Sequence, residues 1–189
     1  MKRNIIVAKK AISPELCNNI INKASNFQEG GVGLEEGIHA IDHKTRRSEV
    51  FFLSGSIPFF DIYKPFTELV RDVNERFYNF NLYNPETFQI TKYDEKNQGF
   101  YKPHIDGFYD NPKVREVRKL SMSVQLTAPE YYEGGKLVFP DDEQNFNYED
   151  SKEQGTVVFF PSYLRHGVTP VTKGTRYSLV SWFLGPHFS

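Results

Sequence analysis

The chain predicts an α+β fold that is mainly β, with helices in its N-terminal half and strands filling the C-terminal half. Three patterns carry this reading. From Leu120 to Leu126, apolar Leu120, Met122, Val124 and Leu126 alternate with polar Ser121, Ser123 and Gln125, the period-two signature of a strand buried on one face. From Val168 to Phe183, β-branched and aromatic residues flank the turn signal Thr172-Lys-Gly-Thr175, as in a β-hairpin. From Tyr63 to Tyr83, Phe66, Leu69, Val70, Val73, Phe77 and Phe80 recur at helical spacing, which describes a long amphipathic helix with its aromatics in the core.

Met1 to Lys10 holds only a brief apolar run before charge returns. That is too short for a signal-peptide core or a membrane helix, so a cytoplasmic location is expected. Ser13-Pro14-Glu15 is a helix start, with Ser as N-cap and Pro in the first turn, followed by Leu16, Ile20 and Ile21 on one face. Residues 28–44 are polar and carry four glycines between positions 30 and 37. A surface loop is expected there, or a mobile lid. Arg46 to Leu53 reads as a strand. Between Asp106 and Leu120 lie Phe108, Tyr109, Asn111, Pro112, Lys113, Arg115, Arg118 and Lys119, which suit either a substrate contact or a solvated loop of alternating charge.

The chemistry concentrates around Tyr101-Lys-Pro-His104-Ile-Asp106-Gly. Side chains two residues apart share a strand face, so His104 and Asp106 can converge on one ion, with the third ligand arriving from elsewhere in the fold. His166 is the candidate. Two imidazoles and a carboxylate on one side of an octahedral ion leave the other side open, the ligand set of non-haem Fe(II) oxygenases. Arg176 follows His166 by ten residues, and the expected hairpin folds it back within reach. Arg176, Ser178, Val180 and Trp182 then share one face, and Tyr177, Leu179, Ser181 and Phe183 the other. A guanidinium at the back of the pocket would grip a carboxylate in bidentate fashion, with Ser178 adding a hydroxyl. His39 and His43 offer no third partner.

Six motifs in order over residues 88–186 then resemble a known family. Gly99-Phe-Tyr-Lys-Pro-His104-Ile-Asp106-Gly, Leu120 to Thr127, Tyr132-Glu-Gly-Gly-Lys-Leu-Val-Phe139, Gly155-Thr-Val-Val-Phe-Phe-Pro161, His166-Gly-Val-Thr-Pro-Val171 and Arg176-Tyr-Ser178 look like Fe(II)- and 2-oxoglutarate-dependent dioxygenases of the prolyl 4-hydroxylase superfamily. The resemblance implies a double-stranded β-helix, or jelly-roll, core supported by N-terminal helices. It implies His104, Asp106 and His166 as metal ligands, Arg176 as partner of the distal carboxylate of 2-oxoglutarate, and Ser178 as its companion. Tyr93 matches a tyrosine near the cosubstrate, and Tyr101 an aromatic three residues before the first ligand. Gln125 stands where some prolyl hydroxylases place a cosubstrate-contacting tyrosine, so that contact passes to an amide or is lost. A carboxylate at position 106 implies hydroxylation rather than halogenation.

The implied cofactors are Fe(II), 2-oxoglutarate and O2, with ascorbate as an accessory reductant. The implied reaction hydroxylates an unactivated C–H bond, foremost in a prolyl residue of a peptide or protein, and releases succinate and CO2. A small-molecule substrate, a nucleic-acid substrate and a non-catalytic binding barrel are the alternatives. Composition adds limits. A net charge of −1 over 189 residues supplies no global basic field for nucleic acid, and the lone Cys17 rules out an intrachain disulfide. One domain over residues 1–189 is expected, with 1–87 as support and 88–186 as the barrel carrying the metal motifs.

Overall fold

The computed structural model describes residues 4–35, 38–53, 60–83, 85–107 and 115–187. Its N-terminal half contains β1 (Ile6–Ala8), α1 (Pro14–Lys23), β2 (Gln28–Glu29), β3 (Val32–Glu35), β4 (Ile38–Ala40), β5 (Arg46–Arg47), β6 (Glu49–Leu53) and α2 (Phe60–Val73). Beyond these come β7 (Phe88–Asp94), β8 (Phe100–His104), β9 (Glu116–Gln125), β10 (Tyr132–Gly134) and β11 (Leu137–Val138). The last three strands are β12 (Val157–Pro161), β13 (His166–Val168) and β14 (Val171–Pro186). The jelly-roll core takes the form of two antiparallel sheets. The larger runs β1-β12-β9-β14-β7-β6-β2 with β10 added on β14, the smaller runs β11-β13-β8-β5, and β3 pairs with β4 apart from both.

The two helices belong to the core of the larger sheet. Ser13 caps α1, its Oγ accepting from Leu16 N at 3.2 Å, and Pro14 starts it where no intrahelical donor is lost. Cys17 and Ile20 of α1, with Ile62, Phe66, Val70 and Val73 of α2, pack against Leu53, Phe88, Ile90, Leu120, Val124, Phe159 and Leu179 of the sheet. The α2 residues recur every three or four positions, which places them in one stripe along the helix. This apolar layer holds one face of the sheet rigid and leaves the other free to carry polar side chains. Among the described residues no helix is long and apolar enough to cross a membrane.

Four expectations are corrected. The helix expected from Tyr63 to Tyr83 ends sooner: α2 stops at Val73, a π-helical turn covers Asn74–Tyr78, and Asn79 adopts a left-handed φ of 56°. Asn74 enforces the stop, because its side chain donates to Phe80 O at 2.9 Å and accepts from Phe80 N at 3.0 Å. Phe80 still packs on the core, whereas Phe77 is exposed rather than buried. Second, Arg46 to Leu53 is two strands in two sheets: Arg46 pairs with Tyr101 in the smaller, and Glu49 with Lys92 in the larger. Third, the Gly-rich stretch is not a loop, since its described residues form the β3–β4 ribbon, with Gly31, Val32 and Gly33 facing the cleft. Glu36 and Gly37 lie outside the described residues, as do 108–114 of the segment read as a substrate contact or a solvated loop.

The fourth correction concerns the hairpin from Val168 to Phe183. β13 pairs with β8 and β11, while β14 pairs with β7, β9 and β10, so the two arms belong to different sheets. Gly174 is no hairpin turn. It sits within β14 opposite Tyr132 with a φ of +70°, and a Cβ there would lie 2.1 Å from the carbonyl oxygen of Tyr131. The residue therefore serves a close crossing of two strands.

Candidate metal centre

The smaller sheet builds the centre through register. His104 ends β8 and His166 begins β13, and the two are direct cross-strand partners. Their rings lie 4.5 Å apart between centroids. Between His166 and Val168 the register shifts, and Gly167 fills the bulge: a Cβ there would come within 2.8 Å of Tyr101 O and 2.9 Å of Pro103 N. A bulge re-aims the side chains beside it, here turning both imidazoles to one point. Asp106 comes from a bend just after β8, where its backbone N–H donates to Ser162 O at 2.9 Å.

The three side chains converge, with donor atoms all within 4.8 Å of one another. His104 Nε2 lies 3.5 Å from Asp106 Oδ1, and His166 Nε2 lies 3.4 Å from Asp106 Oδ2. Such separations suit neighbouring ligands of one ion, each roughly 2.1 Å from it. The tautomers agree, because each Nδ1 donates to a main-chain carbonyl, Lys102 O at 2.8 Å for His104 and Leu164 O at 2.9 Å for His166. That leaves the Nε2 lone pairs for a metal. The donor set thus fits a divalent ion.

Burial and charge support the same use. Burial alone would raise the Asp106 carboxyl, yet the flanking imidazoles and the Ser121 hydroxyl outweigh it and hold the group well below the usual carboxylate range. Burial lowers His166, keeping it the neutral base a metal needs. Ser121 Oγ donates to Asp106 Oδ2 at 2.7 Å and lies 2.8 Å from Ser162 Oγ. A hydroxyl has one proton, so Ser121 gives it to the carboxylate and receives one from Ser162. Tyr101 stacks on His104 with centroids 3.6 Å apart and planes 18° off parallel.

The larger sheet supplies the second half of the cleft. Ser121, Ser123, Gln89, Thr91, Arg176, Ser178, Val180 and Trp182 line the same open cavity of about 2010 Å³ as the His-Asp-His cluster. Leu179 and Phe183 point to the core instead, as the alternation of β14 requires. Arg176 pairs with Tyr93 of β7, and its guanidinium carbon sits 5.6 Å from the Tyr93 ring centre. Ser178 lies between Thr91 and Gln125. Arg176 is 3% exposed, donates from Nε to Gln125 Oε1 at 2.9 Å, and among the described residues has no partner for Nη1. A buried cation left with an unsatisfied donor is suited to receive an anion.

All eight sequence-derived site residues therefore face or flank one cavity: seven line it, and Gln125 reaches it through Arg176. Sequence reasoning missed two others and named a third, Arg118, only within a segment suited to substrate contact or to solvent. Ser121 was visible as a member of the polar face but not as the donor to Asp106. Arg46 is buried, its guanidinium carbon 4.6 Å from the Tyr101 ring centre, donating to Ser48 Oγ and Gly31 O. Arg118 stacks on Trp182 at 3.9 Å, pairs with Glu86 and donates to Asp106 O at 3.1 Å. Nothing in a run of alternating charges distinguishes such arginines from solvated ones.

Comparison with known proteins agrees with this construction. A family model described as 2OG-Fe(II) oxygenase superfamily matches residues 88–184. A PKHD-type hydroxylase of Aliarcobacter butzleri is 32% identical over 178 residues, covering 88% of this chain and 70% of the relative. Probable prolyl 4-hydroxylase 8 of Arabidopsis thaliana is 26% identical, covering 91% of this chain and 65% of the relative. Among solved structures, the viral collagen prolyl hydroxylase of Paramecium Bursaria Chlorella virus-1, in its 2OG complex, superposes with a TM-score of 0.73 at 20% identity and covers 96% of each chain. With a matching family model over half its length and a convergent His-Asp-His cluster in a jelly-roll cleft, the chain belongs to the 2OG-Fe(II) oxygenase superfamily, an enzyme family, and is prolyl 4-hydroxylase-like within it.

Proposed function

We propose that this protein hydroxylates a prolyl residue of a peptide or protein, consuming 2-oxoglutarate and O2 and releasing succinate and CO2. The observation that carries the reading is the meeting, in one cleft, of the His104-Asp106-His166 cluster with a buried guanidinium whose Nη1 has no partner among the described residues. In this scheme His104, Asp106 and His166 would hold Fe(II), and Arg176 with Ser178 would grip the distal carboxylate of the cosubstrate. Tyr93 and Tyr101 form the aromatic walls that fix Arg176 and His104 in place. When bound, the metal supplies the activation of dioxygen and the oxidation of the C–H bond, with ascorbate keeping it reduced.

The substrate assignment draws on the outer part of the cleft. Val50, Phe52, Val180 and Trp182 give it an apolar strip, with Phe52 half exposed. Exposed apolar surface beside a polar reaction centre suits a chain lying along the sheet. The Chlorella virus neighbour is a collagen prolyl hydroxylase, which points to the same substrate class. We read the chain as one such domain, residues 1–87 supporting the barrel of 88–186.

Anaerobic titration of the apoprotein with Fe(II) and 2-oxoglutarate tests the cofactor pair through the visible charge-transfer band of the chelate. The band should vanish in His104→Ala and weaken in Arg176→Ala. Succinate release with proline-containing peptides, and a peptide mass raised by one oxygen atom, then tests the substrate. A folded protein without the band sinks the oxygenase reading, and turnover only with small molecules sinks the peptide assignment.

A further inference from the structure

We propose that Gln125 sets Arg176 for the cosubstrate, holding its guanidinium through a neutral hydrogen bond and so leaving the whole charge for a ligand carboxylate. The inference rests on the reading above, that a 2-oxo dicarboxylate binds beside the metal centre.

Gln125 closes β9 directly opposite Ser178 of β14 and is 4% exposed. The two ends of its amide have different partners. The oxygen accepts from Arg176 Nε at 2.9 Å, and the nitrogen donates to Thr127 O at 2.7 Å. A carbonyl can only accept, so the Thr127 contact identifies the nitrogen and thereby aims the oxygen at Arg176. Thr127 is held in turn, its Oγ1 accepting from Tyr177 N at 2.7 Å, while Leu126 N donates to Tyr177 O at 3.1 Å. This bracket ties the end of β9 to the residue after Arg176. The guanidinium cannot swing away without losing its bond to the amide held at that end.

The charge of Arg176 is the other half of the argument. Among the described residues it forms no ion pair, and its Nη1 is buried without a partner. Of the phenols beside it, burial pushes the hydroxyls of Tyr93 and Tyr148 up, so neither ionises to compensate the cation. With Nε taken by the amide, an incoming carboxylate is left the Nη edge. A glutamate at position 125 would keep the tether yet satisfy the cation from within, as a buried ion pair does. A neutral acceptor orients the guanidinium and leaves it unneutralised.

Calorimetric titration of Mn(II)-loaded wild type, Gln125→Met and Gln125→Glu tests this with two probes. The first is 2-oxoglutarate; the second is oxalate, which chelates the metal and has no distal carboxylate. Gln125→Met should bind 2-oxoglutarate roughly tenfold more weakly, the loss expected when a hydrogen bond to a charged group goes. Gln125→Glu should lose at least about a hundredfold, because its carboxylate occupies the guanidinium. Oxalate affinities should agree among the three within about twofold, since that ligand does not reach Arg176. Unchanged 2-oxoglutarate binding in the variants overturns the proposal, and so does an equal loss for oxalate, which would make residue 125 a general support of the pocket. If Gln125→Glu does not fold, Gln125→Met decides alone. A wild type that binds oxalate but not 2-oxoglutarate brings down the cosubstrate reading itself, an outcome distinct from the other two.

Discussion

Asp106 illustrates how much of this candidate centre depends on side chains outside the His-Asp-His cluster. Its carboxylate is buried and stays ionised because two imidazoles and a hydroxyl surround it, and its backbone is held by Ser162 and Arg118. Removing the hydroxyl should loosen the carboxylate without emptying the site. Ser121→Ala is therefore expected to bind Mn(II) roughly tenfold more weakly, in the range typical of residues that orient metal ligands. Competition against a chromophoric chelator measures it, and an affinity equal to wild type would remove Ser121 from the account. His-x-Asp, His166 and Arg176 were legible from the sequence because few other uses join those residue types. The serine was not, since Ser121 and Ser123 look alike in an alternating strand and only Ser121 meets Asp106.

Among the elements, β14 shows where pattern reading stops. Its alternation is correct from Arg176 to Phe183, with the even positions in the cleft and Leu179 and Phe183 in the core. The glycine before it reads equally well as a turn or as a crossing. Gly174 meets Tyr131 O where β10 passes β14, so any Cβ is excluded there, and the left-handed φ is a second obstacle. Gly174→Ala should cost at least about 2 kcal/mol from backbone strain and the displaced strand together. For a chain of this size that lowers the melting temperature by roughly 5 °C or more. A variant that melts with the wild type would mean that β10 can yield without loss. The break at Ser48, which sends β5 and β6 into different sheets, was equally hidden: a strand that changes sheet keeps its composition.

At the scale of the whole molecule, several weakly acidic groups are withdrawn from water in full or in part. Burial raises the Cys17 thiol from its ordinary 9.0 to about 11, and it raises the hydroxyls of Tyr78, Tyr93, Tyr101 and Tyr148 above 10.0. Each such group is neutral in the folded protein at a pH where it ionises in the unfolded chain. Their contribution is complete below about pH 9 and is lost as the pH climbs through the folded values. Melting temperature should therefore fall steadily from pH 9 to pH 11, and Cys17→Ala should blunt the first part of that fall. Stability unchanged over this range would show that these side chains reach water.

The fold class, the N-terminal cap of α1, the faces of β9 and β14 and the residue types of the metal site could be read from the chain, because periodicity and donor chemistry are local properties. Which strands pair is not local. The hairpin from Val168 to Phe183 was the simplest solution for a turn between two apolar runs, yet β13 and β14 part into separate sheets, and that parting sets His166 beside His104 while Arg176 rises from the opposite wall. The length of α2 was likewise settled by one side chain, Asn74, gripping the backbone of Phe80. Burial made the remaining choices: it turned Arg46, Arg118 and Ser121 from ordinary polar residues into parts of the cleft, since only the packed chain determines which polar groups lose water and must find each other.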